Sequence, residues 1–160
     1  MRTALILVVA LACALLSPAW RHEARAQAIG VRCTIESVTS VDFGNYDPDS
    51  AREQNTTGRL RFNCEPPDRL TVQVTIGPSA VTGSIAERAM REVGGADLLR
   101  YNLFQDRRAT VVWGDGVTGG SAAFVDGKRG FTVEIFGLAP PRQNVSEGTY
   151  ADVLRITILP

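Results

Sequence analysis

Apolar and polar positions alternate along this chain in short runs with a period of two, and Gly-, Pro- and Asp-rich turns separate the runs. Such alternation puts every second side chain on one face, which marks a β-strand buried on one side. The clearest run is Leu70–Ile76, with Leu70, Val72, Val74 and Ile76 on one face and Thr71, Gln73 and Thr75 on the other. Leu60, Phe62 and Cys64 alternate with Arg59, Arg61 and Asn63, which places Cys64 on a buried face. Phe131, Val133 and Ile135 alternate with Thr132 and Glu134. Further strands are predicted over residues 33–38, over 98–104 with Tyr101 and Phe104, and over 110–113 running into the Asp115-Gly116 turn signal. The last covers 150–159, where Leu154, Ile156 and Ile158 alternate with Arg155, Thr157 and Leu159.

Turn chemistry fills the gaps. Residues 43–48 and Glu65-Pro66-Pro67-Asp68 favour bends, as do Gly119-Gly120 and Asp126-Gly127, and Pro140-Pro141 ends the strand before it. Residues 49–57 are polar and expected to be exposed. Residues 85–93 are bracketed by Gly83 and Gly94-Gly95, which leaves room for a turn of helix or a loop. About seven short strands at spacings near ten residues predict an all-β fold, an antiparallel sandwich of immunoglobulin-like style, with an eight-stranded barrel as the alternative. The strand at residues 150–159 buries a face and must pair along both edges or hide an open one. Another protein is the expected neighbour.

The first 26 residues read as an export signal: Arg2, an apolar run over 4–16, then Ala24-Arg25-Ala26, with cleavage expected between Ala26 and Gln27. Lipidation at Cys13 is the competing reading, and it would leave a very short apolar run. Residues 27–160 form one domain of 134 residues, long enough to bury a core. No later segment approaches the roughly 20 apolar residues of a membrane span, so an integral membrane protein is not expected. The leader carries three basic residues and one acidic residue, leaving 14 basic against 16 acidic. With scattered arginines and Lys128 as the remaining lysine, nucleic acid is not an expected partner.

Export also decides the cysteines. Cys33 and Cys64 remain in a chain bound for an oxidising compartment, and no second cysteine or histidine stands near either one. A disulfide is the expected reading, ahead of a metal or redox pair. The only histidine, His22, lies in the leader. Without it, histidine-based catalytic triads and histidine-ligated zinc are excluded, and neither a phosphate loop nor a nucleophile elbow occurs. Asp47-Pro48-Asp49 and Asp115 sit in turn contexts, where carboxylates bond nearby amides. No enzymatic activity, cofactor or metal is expected. Trp113 is expected to pack in the core or at an edge, and the alternative gives Trp113 and Asp115 to a ligand-binding surface. Asn55-Thr56-Thr57 and Asn144-Val145-Ser146 match a glycosylation pattern too short to inform.

Several ordered words carry a resemblance: Phe43-Gly44-Asn45-Tyr46-Asp47-Pro48, Arg88-Ala89-Met90, Tyr101-Asn102-Leu103-Phe104-Gln105-Asp106, Trp113-Gly114-Asp115-Gly116, and residues 143–152 ending in Thr149-Tyr150-Ala151-Asp152. Together with both cysteines and the export signal, this order resembles spore coat protein U domains, which in turn look like the pilin subunits of archaic chaperone–usher fimbriae. The resemblance implies an incomplete immunoglobulin-like sandwich, held by a periplasmic chaperone and polymerised through an outer-membrane usher with other pilin or coat subunits, at the cell surface.

Donor-strand complementation is strand addition: ladder hydrogen bonds give affinity, and alternate side chains entering a groove give specificity. Residues 150–159 are the expected rim, with Leu154, Ile156 and Ile158 as floor residues, and a one-residue slip would reverse every face. A donor segment needs about ten residues at roughly 3.3 Å each. Only six residues, 27–32, stand between the expected cleavage point and Cys33, so this subunit is expected to accept a strand more readily than it donates one. A terminal or tip adhesive position would follow. The alternative function is a self-sufficient secreted ligand-binding sandwich using the turns of residues 113–126.

Overall fold

A computed structural model describes residues 30–66, 70–127 and 130–160. The expected export signal, with its cleavage point between Ala26 and Gln27, lies outside the described residues. Ten strands follow one another: β1 (Arg32–Thr39), β2 (Gln54–Glu65), β3 (Leu70–Ile76), β4 (Ala89–Glu92), β5 (Leu98–Arg100), β6 (Asn102–Phe104), β7 (Ala123–Gly127), β8 (Phe131–Ala139), β9 (Tyr150–Ala151) and β10 (Ile156–Leu159). They form a four-stranded sheet in the order β1-β2-β8-β6, a three-stranded sheet β10-β3-β7, and a small sheet β5-β4-β9. All the ladders between strands are antiparallel. No helix among the described residues is long and apolar enough to cross a membrane.

The inward faces make one core, an immunoglobulin-like sandwich. Leu60 and Phe62 of β2, Val72, Val74 and Ile76 of β3, and Phe131 and Ile135 of β8 are all buried in it. Phe62 and Phe131, cross-strand partners, stack with ring centroids 4.8 Å apart. Cys33 and Cys64 face each other directly across β1 and β2 and form the disulfide.

The strand map corrects the sequence reading in six places. Residues 89–92 form β4, and 123–127 form β7, where a loop and a bend were expected. Residues 54–57 belong to β2, where an exposed polar segment was expected. Residues 110–113 make only isolated bridges, Phe104 to Val112 and Trp113 to Ser121. Finally, the runs 98–104 and 150–159 each break in two. Leu99, Tyr101 and Leu103 all point inward, so the alternation is unbroken, but the backbone leaves the small sheet at Tyr101 and joins β8. Residues 150–159 do the same: β9 pairs with β4, β10 with β3. Strands that turn a corner between sheets keep their inside and outside faces while changing neighbours.

Candidate functional site

Two strand edges are left open side by side. Among the described residues β1 pairs only with β2, and β10 only with β3. The core-facing residues of β1 are fixed by their partners: Cys33 stands opposite Cys64, Ile35 opposite Phe62, and Val38 opposite Leu60, with a bulge between Ile35 and Ser37 that preserves the facing. Phe62 and Leu60 are fully buried, yet Ile35 is 45% and Val38 51% exposed. Side chains that point at the core and remain half in water mark a place where the core lacks a cover.

The opening is a groove. One bank runs from Val38 to Phe43 and the other from Tyr150 to Ile156, over a floor of Ile76, Leu103 and Ile135, enclosing about 270 Å³. A wider space of about 740 Å³ adjoins it beside residues 40–48 and 145–150, sharing Ser40, Val41, Phe43, Met90 and Tyr150 as walls. Leu154, Ile156 and Ile158 are half-buried and pack on the core. Ile156 lies opposite Ile76 and Ile158 opposite Val74, so this face points inward. Leu154 and Ile156 line the groove, while Ile158 packs beyond it.

Each bank is held by side chains from the sheets. The stretch after β1 lies on two glycines of the large sheet, where a Cβ on Gly58 would come within 2.8 Å of Thr39 O and a Val41 methyl, and one on Gly137 would strike Val41 and Phe43. Thr56 Oγ1 donates to Asp42 O at 2.6 Å, and Gln54 Nε2 donates to the carbonyls of Phe43 and Asn45. The opposite bank is tied at the corner between β9 and β10. There the Asp152 carboxylate accepts Tyr101 Oη–H at 2.8 Å and the amides of Ala80 and Val153, while Gly77 N–H donates to Arg155 O at 2.8 Å. Burial pushes the Tyr101 hydroxyl above its ordinary range, reinforced by its bond to Asp152.

Beneath that corner sits Arg88, fully buried. Its guanidinium donates to Asn102 Oδ1 at 2.9 Å and to the carbonyls of Ile76, Gly77 and Trp113 at 3.0, 2.8 and 2.9 Å. Burial lowers its pKa, against the fields of Tyr101, Asp152 and Asp115. A buried charge is tolerable when hydrogen bonds replace its water, and four acceptors do that here. Arginine gives no sequence signal of burial, so sequence reasoning assigned Arg88 no role. The available clue was that Arg88, Tyr101, Asn102, Trp113 and Asp152 come from four of the motif words, which meet at this point.

The ligand-binding alternative for Trp113 is corrected: the ring is 1% exposed, and its Nε1–H donates to Val74 O at 3.0 Å. Asp115 lies in the next turn, where its carboxylate accepts from the Thr118 hydroxyl and the amides of Val117, Thr118 and Gly119. Those bonds, the Thr118 hydroxyl first, hold it well below the usual carboxylate range. Its bonds shape a turn. Among the described residues no three His, Cys, Asp or Glu side chains are grouped to hold a metal.

Residues 23–157 match the Spore Coat Protein U domain family. The chain belongs to that family. It is 30% identical over 141 residues to Protein U of Myxococcus xanthus, covering 81% of this chain and 78% of that protein. Among solved structures, its fold is similar to that of a chain in the CsuC–CsuE chaperone–tip adhesion subunit pre-assembly complex, from the archaic chaperone–usher Csu pili of Acinetobacter baumannii. The TM-score is 0.56 at 16% identity, covering 81% of this chain. The match spans 39% of that solved chain, so the likeness is one of fold.

Proposed function

We propose that this chain is a non-enzymatic structural subunit of a secreted surface fimbria or coat, assembled by donor-strand complementation. One observation carries the reading: Ile35 and Val38 face the core opposite fully buried partners and are themselves about half exposed. The occupant is an extended segment of another polypeptide with alternating apolar side chains. Such a segment finds open backbone groups on both β1 and β10, and its side chains enter a floor of Ile76, Leu103 and Ile135. Each apolar side chain buried there contributes roughly 1.5–3 kcal/mol.

In this reading a periplasmic chaperone supplies the first occupant, and an outer-membrane usher exchanges it for a strand from a neighbouring subunit at the surface. The shared fold with a subunit from a chaperone–usher pre-assembly complex supports the assignment. A terminal or tip position is the finer proposal, resting on the short segment between the expected cleavage point and Cys33.

Val38→Asp tests the groove without disturbing the folded domain, because Val38 is already 51% exposed. It should abolish capture of the domain by a chaperone or by a synthetic donor strand. Ser37→Asp, on the other face of β1 opposite the exposed Arg61, should leave capture intact. Equal capture of both variants overturns the proposal.

A further inference from the structure

A second concave site lies on the outer face of the four-stranded sheet. Thr57, Phe136 and Phe104 stand in one row across β2, β8 and β6. Phe136 is flanked in sequence by the buried Ile135 and Gly137, so its ring points away from the core. The row forms the base of a cleft of about 350 Å³ that Asn55, Arg107 and Leu138 also line.

Arg107 is held over this base. Its guanidinium carbon is 5.9 Å from the centroid of the Phe136 ring. The loop that presents it is closed by Gln105 N–H donating to Val111 O at 3.0 Å, and by Asp106. The Asp106 carboxylate accepts from the amides of Arg108, Thr110 and Val111 and from the Thr110 hydroxyl. Ala109 has a φ of 53°, a left-handed conformation that costs energy in a residue with a Cβ. The neighbouring carboxylate is thus used by the loop backbone, and Arg107 has no ion-pair partner among the described residues. It is also the only charged residue lining the cleft among them.

We propose that this cleft binds an acidic saccharide, a sugar ring bearing a carboxylate or sulfate. The planar fork of arginine matches such an anion with two parallel hydrogen bonds. Rings of Phe136 and Phe104 offer an apolar platform to the C–H face of a sugar, and Thr57 and Asn55 carry polar groups for its hydroxyls. A volume of 350 Å³ sits at the small end of ligand sites, the scale of one or two sugar rings. One cation among aromatic and hydroxyl groups does not suit a polyanion backbone, which needs a stripe of charge.

The test is calorimetric titration of the full-length exported chain with a hyaluronate tetrasaccharide, with neutral chitotetraose and tetraglutamate as controls. Saturable binding of the uronate oligosaccharide is expected, weakened at least tenfold by Arg107→Gln and at least fivefold by Phe136→Leu. Chitotetraose and tetraglutamate should each bind at least tenfold more weakly. Thermal unfolding of Arg107→Gln should match the parent, since the side chain is exposed. No saturable binding of the uronate oligosaccharide, equal binding of either control, or an unchanged affinity in Arg107→Gln overturns the proposal. These outcomes are independent of strand capture, because the groove lies on the other face of the sheet.

Discussion

Ile35 stands directly across the β1–β2 ladder from Phe62, yet Phe62 is fully buried while Ile35 is 45% exposed. Directly opposed residues of an antiparallel pair share a face and, in a closed sandwich, a similar environment. Here Phe62 is enclosed in the core, stacked on Phe131 of β8, while Ile35 is left nearly half in water. The contrast repeats at Val38 and Leu60, so it belongs to the edge rather than to a single rotamer.

The opposite bank makes a paired prediction. Ile156 points into the groove opposite Ile76, and Thr157, exposed and opposite Thr75, points away. Ile156→Asp should abolish strand capture, and Thr157→Asp should reduce it less than twofold. Circular dichroism and the intact disulfide serve as controls for folding. Loss of capture in both variants would place the contact on the wrong face of β10.

Arg88 is predicted to be the most sensitive single position. Arg88→Met removes donors from Asn102 and from three carbonyls, of which those of Ile76 and Trp113 are bonded in buried surroundings. Unsatisfied buried acceptors cost about 1–3 kcal/mol each, so a loss of about 3 kcal/mol or more is expected in urea unfolding. Arg88→Lys keeps the charge without the planar fork and should restore only part of that loss. Full stability in Arg88→Met would show that the node is dispensable.

Reduction gives a third expectation. The disulfide joins residues 31 apart and ties the exposed β1 to β2. Losing it should cost roughly 2–4 kcal/mol, seen as a shift in the urea midpoint with dithiothreitol. Since β1 forms one bank of the groove, strand capture should weaken along with stability.

Acid and alkali should act on different groups. Asp97, Asp106 and Asp115 are held below the usual carboxylate range by the Ser146 hydroxyl, the Val111 amide and the Thr118 hydroxyl respectively, each joined by further bonds. A depressed native pKa stabilises the fold above the unfolded value, so that contribution is present above about pH 4 and lost as pH falls below it. Asp115→Ala should make this acid decline shallower. At the other end Tyr101 is raised by burial and by Asp152, and Tyr150 by burial with Glu92 and Asp97. Stability from a raised tyrosine is present below about pH 10 and lost above it. Tyr101→Phe should remove part of the alkaline decline. Urea midpoints from pH 2 to pH 11 measure both arms, and a decline centred between pH 5 and 8 would contradict the assignment.

Much of this architecture was legible in the alternation. β3 spans the expected residues 70–76, Cys64 is on the buried face, and Leu154, Ile156 and Ile158 point inward. Local pattern is decided by which face meets the core, and that is what a period of two records. It does not record which neighbour a strand takes. The corner at Tyr101 was therefore invisible, because Leu99, Tyr101 and Leu103 stay inside while the sheet changes. β7 was hidden for another reason: its large apolar residue, Phe124, faces water at 69% exposure and the small Ala123 faces the core. Arg88 was missed because its burial depends on acceptors from β3, β6 and Trp113, brought together only in three dimensions.

The central claim is that the sandwich is one strand short. Its most direct measurement is the melting temperature of the domain with a strand supplied in cis, through a flexible linker after Pro160 and about ten residues of alternating apolar and polar type. Burying several apolar side chains is worth several kcal/mol, and each corresponds to roughly 3–6 °C for a domain of this size. The account predicts a rise of about 10 °C or more, lost when the same segment is shifted by one residue so that its polar side chains face the groove. An unchanged melting temperature, or an equal rise with the shifted segment, would contradict it.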